Sequence, residues 1–310
     1  MDRRNLIKRL GTISLLAPFC ISEIVGKAAY QTKKRPVIID ADTANEIDDL
    51  YAIVRMVMAE DFDVLGLCSA QWFHQLSPRN SVQESQRLND DLLRLMNRQD
   101  IPAPLGSEMK MGKPWGGYEP ADSVAARFII NEAKKERPEK LTIIALGAVT
   151  NVASAIALAP EIIPNIQVFS LGGRYEDDKK LWDKNEFNVR RDLNAFNYLL
   201  DTEGLELSIM PVNVLFDFKF TQTEVTDRLS GKGGVWDYLV ARWKSNAAGD
   251  EVRIFWDLAL GIAVLKPNLA TLVKRNTPPQ NNQRQVGIYT AIDTNGMLKD
   301  WWDFFEEKSK

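Results

Sequence analysis

Ten consecutive residues, Asp40-Ala41-Asp42-Thr43-Ala44-Asn45-Glu46-Ile47-Asp48-Asp49, hold five acids. Asp40 and Asp42 close a short β-branched run, Val37-Ile38-Ile39, that reads as a buried strand. Asp48 and Asp49 open a segment in which Leu50, Ile53, Val54, Val57 and Met58 recur at helical spacing. The helix macrodipole gives Asp48 and Asp49 a purely structural reason to stand at a helix start. It gives none to Asp40 and Asp42. Carboxylates that converge repel one another and raise each other's pKa unless a cation neutralises them. An oxygen-rich, imidazole-poor set of ligands suits a hard divalent cation, Ca²⁺ or Mg²⁺. His74 is the single histidine of the chain. Catalysis or metal binding through several imidazoles is therefore excluded.

Three further segments carry polar groups where strands or helices end. Leu146-Gly147-Ala148-Val149-Thr150-Asn151 puts small residues at a turn before an Ala-rich helix. Asn185-Glu186-Phe187-Asn188 places polar groups able to hold sugar hydroxyls around one apolar ring. Phe255-Trp256-Asp257-Leu258-Ala259 puts an acid at the head of an apolar helix. Each segment alone is satisfied by local capping. Their joint occurrence with the acidic loop points to one site.

The elements that must position these residues alternate. Strands are expected at Val37–Ile39, Val64–Cys68, Leu141–Leu146, Ile166–Leu171, Leu207–Val214 and Val286–Ile292. Helices are expected from Asp48, over Val82–Met96, Ala121–Lys135, from Thr150 to near Pro160, over Leu193–Leu200, and at the Trp- and Phe-rich end. Gly231–Gly234 and Asn276–Gln285 read as loops. This alternation predicts an α/β fold, a single domain with a mainly parallel central sheet flanked by helices. In such sheets ligands bind outside the carboxyl ends of the strands, where the acidic loop lies.

Composition sets the outer limits. The chain has 310 residues, 45% hydrophobic and 26% charged, with 39 Lys+Arg against 42 Asp+Glu. That is a globular composition without the basic excess of a nucleic-acid binder. No later segment approaches the ~20 apolar residues of a membrane span. Residues 1–29 read as an export signal, with Arg3-Arg4 and Leu6-Ile7-Lys8 resembling the bacterial twin-arginine type and Ala28-Ala29 offering a cleavage zone. This predicts a periplasmic protein whose domain is residues 30–310. Residues 1–29 hold five basic side chains (Arg3, Arg4, Lys8, Arg9, Lys27) and two acidic ones (Asp2, Glu23), so the remainder carries about −6 against −3 for the whole chain. With Cys20 removed, Cys68 is left without an internal partner.

Asp40-Ala-Asp42…Asp48-Asp49, Leu146-Gly-Ala-Val-Thr150-Asn151, Glu186-Phe-Asn188 and Trp256-Asp257-Leu-Ala together resemble the nucleoside hydrolase family, the inosine–uridine-preferring nucleoside N-ribohydrolases. The four motifs stand in the family's order and span roughly residues 36–266. The resemblance implies one Ca²⁺ held by Asp42, Asp49, Asp257 and the Thr150 carbonyl. It implies Asp42 as general base toward water, and Asp48, Glu186, Asn188 and Asp257 on the ribose hydroxyls. It also implies a small-molecule riboside substrate and a dimer or tetramer. Elementary chemistry agrees with such a site. N-glycosidic cleavage passes through an oxocarbenium-like state, and negative charge beneath the ribose stabilises it. Water lowered in pKa by a cation and deprotonated by a carboxylate supplies the hydroxyl.

Some positions differ from the family's pattern. The first loop is two residues longer, with Thr43-Ala44-Asn45-Glu46 where Pro-Gly is usual. Trp256 stands where a His associated with protonating the leaving base is usual. Lys180 stands roughly where Asn is usual, and Gln71-Trp72-Phe73 offers no clear match for another Asn. Leaving-group activation then falls to stacking on Trp72, Phe73 or Trp256, or to His74. An unusual leaving group, or weak action on ordinary nucleosides, is expected. A haloacid-dehalogenase-type phosphatase also begins with Asp-x-Asp, but Ala44 and the adjacent Asp48-Asp49 do not suit it. A non-catalytic exported sugar- or metal-binding protein on the same fold is the alternative of a different class.

Overall fold

The computed structural model describes residues 34–246, 249 and 251–310. The expected signal at residues 1–29, with Cys20, lies outside the described residues.

The strand β1 (Arg35–Ala41) shows why the sheet is central. Val37, Ile38 and Ile39 are all fully buried, and they alternate between two apolar clusters. Val37 and Ile39 join one cluster and Ile38 the other. β3 (Leu141–Ala145) is buried along its whole length in the same way. Strands covered on both faces read as continuous apolar runs, as these do.

The other sheet strands are β2 (Phe62–Ser69), β4 (Ile166–Leu171), β7 (Glu206–Met210), β10 (Ala270–Asn276) and β11 (Gln285–Ile292). The two short hairpins are β5 (Arg174–Glu176) with β6 (Leu181–Asp183), and β8 (Lys219–Thr221) with β9 (Val252–Ile254). The seven-stranded sheet runs β10-β11-β7-β4-β3-β1-β2. All its pairings are parallel except β10 with β11. The α/β fold with a mainly parallel sheet is therefore as the sequence predicts.

Helices α1 (Asp48–Val57), α2 (Ser81–Leu95), α3 (Val124–Ala133), α4 (Thr150–Leu158), α5 (Phe187–Arg191), α6 (Leu193–Asp201), α7 (Gln222–Leu229), α8 (Gly234–Asn246), α9 (Trp256–Leu265) and α10 (Thr294–Lys308) complete the chain. α3, α4 and α6 contribute to the cluster that includes Ile38. α1, α8, α9 and α10 contribute to the other. Every residue of α1 is buried, because α9 packs against it and the aromatic side of α10 closes over both. Tyr51 of α1 meets Trp243, Phe255 and Trp301 at ring-centroid distances of 6.3, 4.7 and 5.6 Å. Arg55 reaches Asp300 of α10 with two hydrogen bonds, at 3.0 and 3.1 Å.

Three expectations are corrected. The strand expected over Leu207–Val214 ends at Met210, and Val212–Val214 form a 3₁₀ turn. Pro211, which has no N–H to donate to a ladder, separates them. The helix expected from Ala121 begins at Val124, where Ser123 accepts the Ala126 N–H at 3.0 Å as its cap. β10, read as no element, is an antiparallel edge strand whose exposed residues give only a weak apolar pattern. Among the described residues no helix is long and apolar enough to cross a membrane.

Candidate functional site

The carboxyl ends of β1, β3 and β4 open into a cleft of about 250 Å³. β1 delivers Asp40 and Asp42, and α1 begins six residues later with Asp48 and Asp49. Neither Asp48 nor Asp49 caps α1, whose cap position is Ile47 without a side-chain bond. Both carboxyls instead turn inward and are buried. α9 brings Asp257 in its first turn, and the Asp257 N–H donates to Asp48 Oδ2 at 3.0 Å.

Asp48, Asp49 and Asp257 each offer an oxygen within 4.8 Å of the other two. Asp42 stands at the edge of this trio and is one of the charges that raise both Asp49 and Asp257. Its own place depends on Gly147. A Cβ built there would lie 2.5 Å from Asp42 Oδ1, so only glycine lets the carboxylate come this close to the β3–α4 turn.

The electrostatics of the cluster are unfavourable as the side chains stand. Burial first, then the neighbouring acids, pushes Asp42, Asp49 and Asp257 well above the usual carboxylate range. Burial, with Glu46 next, raises Asp48 to about 7. Four buried oxygens, Asp42 Oδ2, Asp48 Oδ1, Asp49 Oδ1 and Asp257 Oδ1, have no hydrogen-bond partner. Buried polar atoms are ordinarily satisfied. Orphaned oxygens gathered in one place fit a hard divalent cation, which neutralises charge and fills lone pairs together. The N-termini of α1 and α9 add positive dipole ends at the same point.

Asp40 has a different surrounding. Its Oδ1 accepts Asn151 Nδ2 at 2.8 Å, and Asn151 Nδ2 also reaches the Ser69 carbonyl at 3.1 Å. Asn151 Oδ1 takes the Ser107 N–H and the Ser123 hydroxyl. This network ties β1, β2 and α4 together beneath the cleft. Thr150 opens α4, and its hydroxyl donates to Asp192 Oδ2 at 2.7 Å.

The opposite wall comes from the turn after β4. Gly173, at φ +70°, donates its N–H to Glu186 Oε2 at 3.0 Å. Glu186 also accepts the N–H groups of Asn188 and Val189, capping α5. Asn188 Nδ2 is held by the Leu146 and Leu171 carbonyls at 2.6 and 3.4 Å. That leaves the Asn188 amide oxygen for a ligand, an acceptor for a hydroxyl proton.

The structure therefore gathers Asp42, Asp48, Glu186, Asn188, Trp256 and Asp257 around one cleft. Asp49 lies beneath it. Trp72 and His74 do not line it. Trp72 is buried under α2, with its indole N–H on the Ser81 carbonyl at 3.1 Å. His74 packs edge-on against Phe187 at 5.9 Å, and burial and Arg191 lower its pKa. Phe73 is largely exposed, and Lys180 pairs with Asp177 at 3.0 Å.

Several residues of the site were not singled out from the sequence. Phe216 lines the cleft and meets Trp256 edge-on at 5.9 Å. Arg174 lines it too, anchored on the Asn185 carbonyl at 2.6 Å. Glu46, from the longer first loop, lines it while paired with Arg253. Thr43 ties that loop to α2 through Asn89 at 2.6 Å. The one signal for this arm was the loop's extra length, since Phe216 and Arg174 carry no motif.

Comparison with known proteins follows the same lines. A protein-family model described as inosine-uridine preferring nucleoside hydrolase matches residues 37–309. A probable uridine nucleosidase 2 from Arabidopsis thaliana is 26% identical over 230 residues, 66% of this chain and 68% of its own length. The non-specific ribonucleoside hydrolase RihC of Escherichia coli (strain K12 / DH10B) is 22% identical over 283 residues, covering 85% of this chain and 90% of RihC. Among solved structures, an inosine-guanosine nucleoside hydrolase superposes with a TM-score of 0.66 at 18% identity, covering 88% of this chain and 99% of that one.

Proposed function

The chain belongs to the inosine-uridine preferring nucleoside hydrolase family, whose members are N-glycosyl hydrolases, and from that premise we propose that it cleaves ribonucleosides to ribose and free base with the help of a bound Ca²⁺. The observation that carries this reading is the set of four orphaned, buried carboxylate oxygens at the floor of the cleft. Asp49 and Asp257 would hold the cation together with Asp42, with Asp48 close enough to share it. The Thr150 carbonyl is the further ligand that the family resemblance implies. When bound, Ca²⁺ lowers the pKa of water and fixes its position.

The remaining work falls to side chains on the page. Asp42, pinned against Gly147, accepts the proton of the attacking water. Asp48 and Asp257 present negative charge toward the sugar, which favours the cationic character that develops at C1′. Glu186 and Asn188, fixed by backbone groups, offer acceptors to ribose hydroxyls without rearranging. Trp256 and Phe216 form an aromatic edge on which a flat base can stack.

Beyond the carboxylates already assigned, the one further acid lining the cleft is Glu46, which is paired with Arg253. Trp256 cannot donate to a departing ring nitrogen as an imidazolium does, although its indole N–H can hydrogen-bond. Action is therefore expected on bases that depart readily. Incubating the Ca²⁺-loaded protein with a panel of ribosides, read out as free ribose and free base, tests the proposal. Release from at least one riboside, lost in Asp42→Ala, is expected. Inactivity on every riboside would defeat it.

The basic start of the chain, with Arg3-Arg4, supports export through the twin-arginine route. Cell fractionation of the full chain against an Arg3→Lys/Arg4→Lys variant tests that separately.

A further inference from the structure

Among the described residues that line the cleft, five are acids, Asp42, Glu46, Asp48, Glu186 and Asp257, and one is a cation, Arg174. Its backbone is fixed on both sides. The Gly173 carbonyl accepts the Val212 N–H at 3.0 Å, and the Tyr175 N–H donates to Asn213 Oδ1 at 2.9 Å. Arg174 therefore stands on the wall that leads through Val214 to the Phe216 ring, which also lines the cleft.

The guanidinium is held by one nitrogen. Nη1 donates to the Asn185 carbonyl at 2.6 Å and to Asp183 Oδ2 at 3.3 Å. Asp183 stands opposite Arg174 in the β5–β6 hairpin and is itself set by the Asn185 N–H, which donates to its Oδ1 at 2.7 Å. Among the described residues Nε and Nη2 of Arg174 have no hydrogen-bond partner. A guanidinium anchored at one prong keeps its other N–H groups for a ligand in a fixed direction.

Charge decides which part of a riboside those groups serve. As the C1′–N bond breaks, the sugar becomes positive and the base negative. Acids stabilise the first charge and a cation the second. A guanidinium turned to the sugar would work against the carboxylates of the cleft floor. Turned to the base, on the side where Phe216 meets Trp256, it works with them.

We infer that Arg174 is a further catalytic residue, whose free N–H groups bind a carbonyl oxygen or ring nitrogen of the base beside its glycosidic nitrogen and stabilise the anion that departs. The inference rests on the riboside-hydrolase reading above. It gives a cleft without an imidazolium a way to release the base. The water oxygen bonds to C1′, and the water proton passes to Asp42. The electron pair of the C1′–N bond leaves on the base, which takes a proton from solvent, and Asp42 later returns its own to solvent.

Uridine and 4-nitrophenyl riboside share the ribose and differ in the leaving group, since nitrophenolate is a stable anion that departs with little help. Inosine replaces uridine if uridine is not cleaved. With the Ca²⁺-loaded protein, Arg174→Gln should lower kcat for the nucleoside about a hundredfold and for the nitrophenyl riboside less than about tenfold. Retained nitrophenyl riboside hydrolysis also shows that the variant is folded. Arg174→Lys, which keeps the charge, should recover part of the nucleoside-to-nitrophenyl ratio. An equal loss on both substrates would assign Arg174 to the shared ribose and overturn the inference. So would an unchanged nucleoside rate in Arg174→Gln, or a ratio in Arg174→Lys no higher than in Arg174→Gln. A wild type that cleaves the nitrophenyl riboside but neither nucleoside would overturn it while leaving the sugar side intact. A wild type inactive on all three would defeat the functional reading, and the inference with it.

Discussion

The two sides of the cleft are built on opposite principles. The sugar side is a buried acidic cluster fixed by strand ends and helix starts. Asp42, Asp48, Asp49 and Asp257 are nearly inaccessible, and Gly147 leaves the Asp42 carboxylate no slack. The leaving-group side is made of aromatic rings: half-buried Trp256 and Phe187 at the starts of α9 and α5, and exposed Phe216 from the turn after β7. Under the proposed function, one side would specify a cation and a ribose by charge and position. The other would specify a base by the shape of its aromatic rings. On that reading, chemistry common to all ribosides falls to the rigid side, and selectivity to the side that can vary without disturbing the sheet.

The contrast can be broken most sharply at Asp257. Asp257→Asn removes one charge from the trio that could hold the cation, while the backbone N–H bond to Asp48 stays in place. Activity should fall by about a thousandfold or more, with metal content falling alongside it. Activity and metal content both retained would separate the cluster from catalysis.

The next effect concerns the protein stripped of metal. Asp40 and Asp48 lie at about 7 when folded, against an ordinary carboxylate value of 3.8. A folded-state pKa raised in this way means that the folded form holds more protons than the unfolded form between those values. Metal-free stability is therefore full below pH ~4 and declines as pH rises through about 7, by up to about 4 kcal/mol for each such group. Denaturant melts of chelated protein at pH 5 and pH 8 should show the loss at pH 8, and added Ca²⁺ should remove it. Equal stability at the two values would contradict the buried-acid reading.

Gly147→Ala should cost roughly 10- to 100-fold in kcat, because the new methyl displaces the Asp42 carboxylate. A change confined to KM would point instead to a role in sugar binding. On the leaving-group side effects should be smaller. Trp256→Ala should raise KM about tenfold through lost stacking, with kcat much less affected. His74→Ala should change either constant by less than about twofold, because His74 does not line the cleft. A large loss in kcat for His74→Ala would show that its ring reaches the base during turnover.

The same division decided what was legible beforehand. The β-branched runs of β1 and β3 and the acidic loop follow local rules, so the parallel sheet and the position of the sugar side could be read from the chain. Residue type alone points Trp72 and His74 to the site. Packing instead placed Trp72 under Ser81 and His74 behind Phe187. Phe216 and Arg174 reach the cleft only through tertiary folding of the turns after β7 and β4, and no spacing announces that. No pattern announces β10, because an edge strand with one wet side carries little periodic signal.

The central claim is that the buried acidic cluster holds a catalytic divalent cation. Elemental analysis of purified, active protein before and after chelation tests it most directly. About one Ca²⁺ per chain should be present, lost with activity on chelation and regained with activity on readdition. Fully active protein that contains no divalent metal would contradict it.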